Sequence, residues 1–230
     1  MIQIENLSKR YGQQVVLQLE HLDIPAGERF GLVGNNGAGK TTLFSLLLDL
    51  IRADTGEVRS KGEAVAGHDA WKAYTGAFID DSFLIGHLTP EEYFHFVGEL
   101  YGMNASDVSA FLAPFAEFFN GEILDSGKYI RNMSKGNKKK VGIAAALLGR
   151  PEVLILDEPF ANLDPSSQIR LKQLIRNLPA GLTVLISSHD LAHVTEVCER
   201  IVLLERGQVV RDIKDAPERA LQELEAYFAQ

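Results

Sequence analysis

Residues Gly34-Asn35-Asn36-Gly37-Ala38-Gly39-Lys40-Thr41-Thr42 carry the spacing of a phosphate-binding loop, G-x-x-x-x-G-K-[ST]. The apolar run Phe30-Gly31-Leu32-Val33 precedes it and Leu43-Phe44-Ser45-Leu46-Leu47-Leu48 follows, so a strand enters the loop and a helix leaves it. Glycines at 34, 37 and 39 let the backbone curl until successive N–H groups point at phosphate oxygens, and the helix adds its positive end. Lys40 then reaches the β- and γ-phosphates, and the Thr41 hydroxyl suits Mg2+. Such a loop implies a nucleotide site at the tip of a strand in an α/β sheet.

The second half of such a site is predicted at Val153-Leu154-Ile155-Leu156-Asp157-Glu158. Four apolar residues bury a strand and bring Asp157 to its C-terminal tip, where open α/β sheets bind ligands. Asp157 is placed to orient the Mg2+ shell, and Glu158 to polarise a water for in-line attack on a γ-phosphoryl group. Asn162-Leu163-Asp164-Pro165 and Ser187-Ser188-His189-Asp190 follow. Each is a weak signal alone, since Asp-Pro is usually a turn and a His before an Asp is usually a cap or a surface residue.

Strand signals cover 2–4, 15–23, 30–33 and 58–60, the last after a turn at Asp54-Thr55-Gly56. From 89 to 150 the character changes to helical. Thr89 is read as an N-cap before Pro90, Glu91 and Glu92. Tyr93, Phe94, Val97, Leu100 and Tyr101 recur at helical spacing, as do Phe111, Leu112, Phe115, Phe118 and Phe119. These aromatics read as helical core or as a surface facing a partner. Beyond 153, strands at 153–157 and 182–187 alternate with helices at 166–178 and 192–198. A hairpin at 201–211 around Arg206-Gly207 follows, then a helix at 218–228 with Leu221, Leu224 and Phe228 on one face. The fold class is therefore α/β, one domain over 1–230: a nucleotide-binding core of 1–88 and 151–230 with an N-terminal antiparallel β subdomain and a mostly parallel sheet, and 89–150 as an inserted helical subdomain.

At 230 residues and 46% hydrophobic composition the chain can bury one large core. A net charge of −8 argues against a nucleic-acid partner, which needs clustered Lys and Arg. The basic run Lys138-Lys139-Lys140 is read as a solvated helix face. Cys198 is the sole cysteine and shares an apolar helix pattern with Val194 and Val197, as a small buried residue of a reduced cytoplasmic protein does. Residues 1–5 alternate like a strand and lack the regions of a signal peptide. Apolar runs fall far short of the roughly 20 residues that span a bilayer, so a membrane role requires a second chain.

Taken in order, these motifs resemble those of the ATP-binding-cassette (ABC) ATPases over essentially the whole chain. Tyr11, in Lys9-Arg10-Tyr11-Gly12, matches the aromatic residue that stacks on adenine. Asn162 to Asp164 matches the subunit-contact loop, and His189 the switch histidine that senses the γ-phosphate. Asn132-Met133-Ser134-Lys135-Gly136-Asn137-Lys138 occupies the place of the family signature. The resemblance implies ATP and Mg2+ as cofactors, Glu158, His189 and Lys40 as catalytic residues, and Thr41, Asp157 and Asp80 on the metal. Tyr11, Gly34 to Thr42, Ser134, Gly136 and Asp164 would then contact nucleotide. It also implies a head-to-tail pair with a second such subunit, simplest as a homodimer, in which each ATP lies between one phosphate loop and the partner's signature.

Two departures stand out. The common signature is Leu-Ser-Gly-Gly-Gln, and here Met133, Lys135 and Asn137 replace its first, third and last residues. Ser134 and Gly136 remain, and the pattern Ser134-x-Gly136-x-Lys138-x-Lys140 resembles that of ABC-2 type exporter ATPases. Asp80 stands where the family usually has the glutamine that joins Mg2+ and links the site to the membrane partner. The resemblance thus implies the motor subunit of a transporter, cytoplasmic and peripheral on the inner face of the cell membrane through a separate permease. A soluble cassette without a transporter, such as a cofactor-assembly ATPase, is the alternative.

Overall fold

The computed structural model describes residues 1–214, so the helix expected at 218–228 lies outside the described residues. Two sheets and a helical layer build the fold. Strands β1 (Ile2–Tyr11) and β2 (Gln14–Ile24) form an antiparallel hairpin. Strand β3 (Arg29–Val33) leads into the phosphate loop and helix α1 (Lys40–Leu47). Strands β4 (Thr55–Ser60) and β5 (Glu63–Ala64) complete a four-stranded sheet in the order β2-β1-β4-β5.

Strand β6 (Thr75–Phe78) precedes the helical stretch α2 (Pro90–Leu100), α3 (Ala105–Leu112), α4 (Ala116–Phe119) and α5 (Lys135–Leu148). The chain returns through β7 (Val153–Leu156), α6 (Pro165–Arg176), β8 (Thr183–Ser188), α7 (Leu191–Thr195), β9 (Arg200–Glu205) and β10 (Gln208–Lys214). The second sheet runs β10-β9-β3-β8-β7-β6 and is parallel except for β10.

Burial on both faces explains why the central strands read as apolar runs rather than alternating ones. On β7, Leu154 and Leu156 join a core shared with the helical layer, while Val153 and Ile155 join a second core under the antiparallel sheet. Phe94, Phe115, Phe118 and Phe119 are buried in the first core, with Phe94 stacked on Phe119 at 5.9 Å. Leu100 and Tyr101 instead remain exposed, so the aromatic stripe divides between core and surface. Thr89 caps α2 in a reciprocal box with Glu92, as predicted.

Several boundaries differ from the sequence reading. The first strand runs to Tyr11, because Leu7 continues the buried alternation past a positive φ of 48° at Asn6 and a register shift at Lys9/Arg10. Thr55 and Gly56 open β4 rather than a turn, since Thr55 pairs with Ser8 of β1. The helix expected at 192–198 is shorter, α7 ending at Thr195, although Val194 and Cys198 still cover Gly31 of β3. Cys198 is buried as expected, and its thiol pKa is pushed up by that burial.

Close approach of α5 to β6 brings the helical layer onto the sheet. A Cβ on Gly76 would lie 1.9 Å from the Ala146 carbonyl oxygen, and one on Gly142 would lie 2.1 Å from the Phe78 ring. The first obstacle is backbone and cannot swing aside. Gly76→Ala is therefore expected to destabilise the fold by about 1–3 kcal/mol, measured by denaturant unfolding, because an overpacked site must shift its neighbours. Unchanged stability would show that the contact yields freely.

Candidate nucleotide site

Strand β3 ends at Val33, and the chain curls through Gly37 at φ +83° and Gly39 at φ +108° before α1 begins at Lys40. A side chain at Gly39 would meet the Val16 carbonyl of β2 at 2.7 Å, so the loop seats directly on that strand. Ala38 donates its N–H to Asn35 at 3.0 Å, and Gly207 in the β9–β10 turn donates to the Ala38 carbonyl at 2.9 Å. Asn35, Asn36 and Gly37 stay exposed at the mouth, while Gly34, Ala38 and Gly39 are buried and Thr42 is half-buried.

Lys40 is only 6% exposed, unusual for a lysine, and its ammonium is fully engaged. It donates to the Gly34 carbonyl at 2.6 Å and lies 3.2 Å from Glu158 Oε1. The loop thus holds a positive charge at the N-terminus of α1, a combination that suits a polyanion.

The carboxylates are set by the parallel register, which places the end of β7 beside β8 and β6. Asp157, buried, accepts from Thr41 Oγ1 at 2.5 Å on one oxygen and from Ser187 Oγ on the other. Burial raises its pKa, and these two hydrogen bonds oppose that rise. Thr41 and Asp157 therefore fit a divalent ion, offering one hydroxyl and one carboxylate side by side. Among the described residues no three His, Cys, Asp or Glu side chains converge on one point, so an ion here would take its remaining oxygens from nucleotide and water, as Mg2+ commonly does.

Glu158 extends next to this pair. Its Oε1 faces Lys40, and its Oε2 meets His189 Nδ1 at 2.8 Å, with the imidazole half exposed. Its backbone holds φ at 46° immediately before Pro159, a combination that costs on the order of 1–3 kcal/mol and persists only where neighbours enforce it. Those neighbours include Ser187 Oγ, which accepts the Glu158 N–H at 2.9 Å, and Lys139 Nζ, which donates to the Glu158 carbonyl.

A second group of predicted residues keeps to itself. Ser134 caps α5, its Oγ accepting from the Asn137 N–H at 3.2 Å. A Cβ on Gly136 would meet the Asn162 carbonyl at 2.8 Å, so the start of α5 rests on the 162–164 loop. Asp164 caps α6 and accepts from Ser166, from the Ser167 N–H at 3.0 Å and from the Ser167 hydroxyl, which together hold its pKa well below the usual carboxylate range. Tyr11, 55% exposed, closes β1 on the hairpin whose second strand passes the phosphate loop, and Lys9 Nζ lies 5.5 Å from its ring centroid.

Asp80 stands two residues beyond β6, beside the strand end that carries Asp157. Its Oδ1 accepts the Ser82 N–H at 2.8 Å and caps the short turn at 81–83, and bonds to Ser82 lower its pKa. The carboxylate is thus charged and engaged in its own turn, and the structure does not join it to Thr41 or Asp157.

The lysine run corrects the sequence reading. Lys140 is buried and pairs with Glu122 at 3.5 Å, Lys138 pairs with Asp81 at 3.5 Å, and Lys139 reaches Glu158. A solvated face was inferred from charge alone, but α5 is wedged between the sheet and the other helices, so these stems are buried and their heads find partners. Ser187 was overlooked as well. It lies two residues before His189, yet its partners become visible only once β7 and β8 are in register.

Comparison with known proteins decides the family. Residues 17–161 match the family model described as ABC transporter. The chain belongs to the ABC transporter family. It is 35% identical to an ABC transporter ATP-binding protein, YhaQ, of Bacillus subtilis, over 91% of this chain and 70% of that one. It is 32% identical to the linearmycin resistance ATP-binding protein LnrL of the same organism, over 91% and 68%. The Nod factor export ATP-binding protein I of Burkholderia orbicola is 34% identical over 92% and 70%. A solved ATP-binding subunit of an ABC transporter superposes with a TM-score of 0.86 at 28% identity, covering 100% of both chains. The dimeric cassette MJ0796 bound to ADP and Pi superposes at 0.80 with 24% identity, over 93% of this chain and 98% of that one, and shares the fold. This ABC cassette is a nucleotide-binding ATPase.

The Asp164 cap gives a pH signature. A carboxylate whose folded pKa is depressed adds stability above its unfolded pKa of about 3.9, and that contribution fades as pH falls through the lower folded value. Asn also caps helices, so Asp164→Asn removes mainly the charge. The parent is expected to unfold later than Asp164→Asn at pH 7, with the gap closing below about pH 4 in urea titrations. A gap independent of pH would assign the cap no charge contribution.

Proposed function

We propose that this cassette is the Mg2+-dependent, ATP-hydrolysing motor subunit of a membrane exporter of the ABC-2 type. In this reading it pairs head to tail with a second copy and works on a separate permease at the inner face of the membrane. The observation that carries the proposal is the Glu158 carboxylate, bridging Lys40 and His189 beside the Thr41–Asp157 pair.

Lys40 exchanges the Glu158 oxygen and the loop carbonyls for phosphate oxygens, which leaves Oε1 of Glu158 to accept the proton of a water aligned with the γ-phosphoryl group. His189 holds the other carboxylate oxygen and orients it. Thr41 and Asp157 are the residues that would hold Mg2+, which would supply charge neutralisation at the phosphates. Tyr11 stacks on the base. Ser134, Gly136 and Asp164 form a polar edge that faces the nucleotide of the partner subunit, because a cap hydroxyl and a close-approach glycine at a helix N-terminus suit a phosphate.

Export is supported by the relatives named for Nod factor export and linearmycin resistance and by the Ser134-x-Gly136-x-Lys138-x-Lys140 pattern. Residues 1–88 and 151–230 serve as the nucleotide-binding core and 89–150 as the helical subdomain. A groove of about 460 Å³ separates them, lined in part by Leu50, Phe83, Tyr93 and Tyr101, and Phe83 is 60% exposed at its edge. That apolar rim, next to the 80–88 segment, suits contact with a permease.

Glu158→Gln is expected to bind ATP with affinity within about threefold of the parent while turnover falls on the order of a hundredfold or more, in equilibrium binding and phosphate-release assays. Parental turnover would overturn the base assignment. Tagged Glu158→Gln protein, recovered with ATP and Mg2+ from detergent-solubilised membranes of its host, is expected to bring a multi-span protein at stoichiometric yield. Recovery of soluble partners alone would overturn the exporter reading.

A further inference from the structure

The reading of Glu158 as the base uses its carboxylate and leaves its backbone unexplained. That backbone is held at φ 46° before Pro159 by two contacts from different elements. From β8, Ser187, fully buried, accepts the Glu158 N–H at 2.9 Å and donates its own proton to Asp157. From α5, Lys139 donates to the Glu158 carbonyl. Burial lowers the Lys139 pKa, while the carboxylates of Glu158, Asp157, Asp81 and Asp80 oppose that shift and keep a cation in place. A long cation threaded into a half-buried position to meet one peptide oxygen is costly unless that peptide must be fixed.

We propose that Ser187 and Lys139 are positioning residues for ATP hydrolysis, clamping the Glu158 peptide from both sides and so aiming its carboxylate between Lys40 and His189. The inference rests on Glu158 acting as the base. Two consequences follow from the geometry. Because one Ser187 hydroxyl serves both Asp157 and the Glu158 N–H, the candidate metal ligand and the candidate base share one anchor. Lys139 lies on the helix whose first turn carries Ser134 and Gly136, so the orientation of α5 is transmitted to the base of its own subunit. A misplacement of about 1 Å at a reacting group costs on the order of a hundredfold in rate, so such a clamp has leverage on kcat without touching nucleotide.

The test uses the purified full chain. Ser187→Ala removes one hydroxyl, Lys139→Met removes the charge and keeps the stem, and Lys139→Arg keeps the donor. Each of the first two is expected to lower kcat about tenfold or more. In Lys139→Met, KM, equilibrium affinity for a fluorescent ATP analogue and the unfolding midpoint are expected to stay close to parental, whereas Ser187→Ala, which also takes a hydrogen bond from buried Asp157, is expected to lower the midpoint as well. Lys139→Arg is expected to recover most of kcat. In a Glu158→Gln background Lys139→Met is not expected to lower the residual rate further, since it acts through that side chain. Parental kcat in both single variants, with turnover lost in Glu158→Gln, overturns the clamp alone. Loss of kcat matched by loss of affinity, without recovery in Lys139→Arg, also overturns it. Parental turnover in Glu158→Gln overturns the clamp together with the base assignment.

Discussion

One buried carboxylate holds the site together. Asp157 accepts hydrogen bonds from Thr41 on the phosphate-loop helix and from Ser187 on β8, while its own N–H is given to Phe78 of β6 at 2.9 Å. Four segments distant in sequence are thereby fixed to one another at the C-terminal edge of the sheet. An unpaired buried charge would be costly, so these partners are conditions for Asp157 being there at all. The parallel register that provides them depends in turn on strands buried on both faces. Glu158, one residue further, inherits its place from this anchor.

The remaining polar groups divide cleanly. Lys40, Thr41, Asp157, Glu158 and His189 meet in one cluster, whereas Ser134, Gly136 and Asp164 share a separate edge where α5 rests on the 162–164 loop. The first cluster carries the means to hold and cleave a polyphosphate, and the second carries donors at a helix start. Two incomplete halves on one chain are what a head-to-tail pair would join into two complete sites. Lys139 connects the halves within a subunit, since it leaves the second and ends on the backbone of the first.

Much of this was legible in the sequence because it is local. The phosphate loop follows from glycine spacing between a strand and a helix, and the Asp157 strand from four apolar residues ending in an acid. The cap at Thr89 is likewise a short-range matter, whereas the caps at Ser134 and Asp164 emerge from the structure. What depends on packing was not legible. Strand β6 has four residues with a glycine among them and takes its identity from β7 and α5. The three lysines at 138–140 carry the same charge, yet their burial differs because each faces a different neighbour. Ser187 was in view beside His189, but only the register of β7 against β8 turns its hydroxyl into an anchor. Asp80 is legible as a residue in an informative place, and its hydrogen bonds to Ser82 show how a local turn occupies a group the motif would send elsewhere.

In the proposed head-to-tail pair, ATP completes the two halves across subunits. This is tested most directly by measuring the mass of Glu158→Gln protein in solution by light scattering, with and without saturating ATP. A monomer is expected alone and a dimer with ATP, lost again on Ser134→Arg. A monomer at saturating ATP, with nucleotide bound, would contradict it.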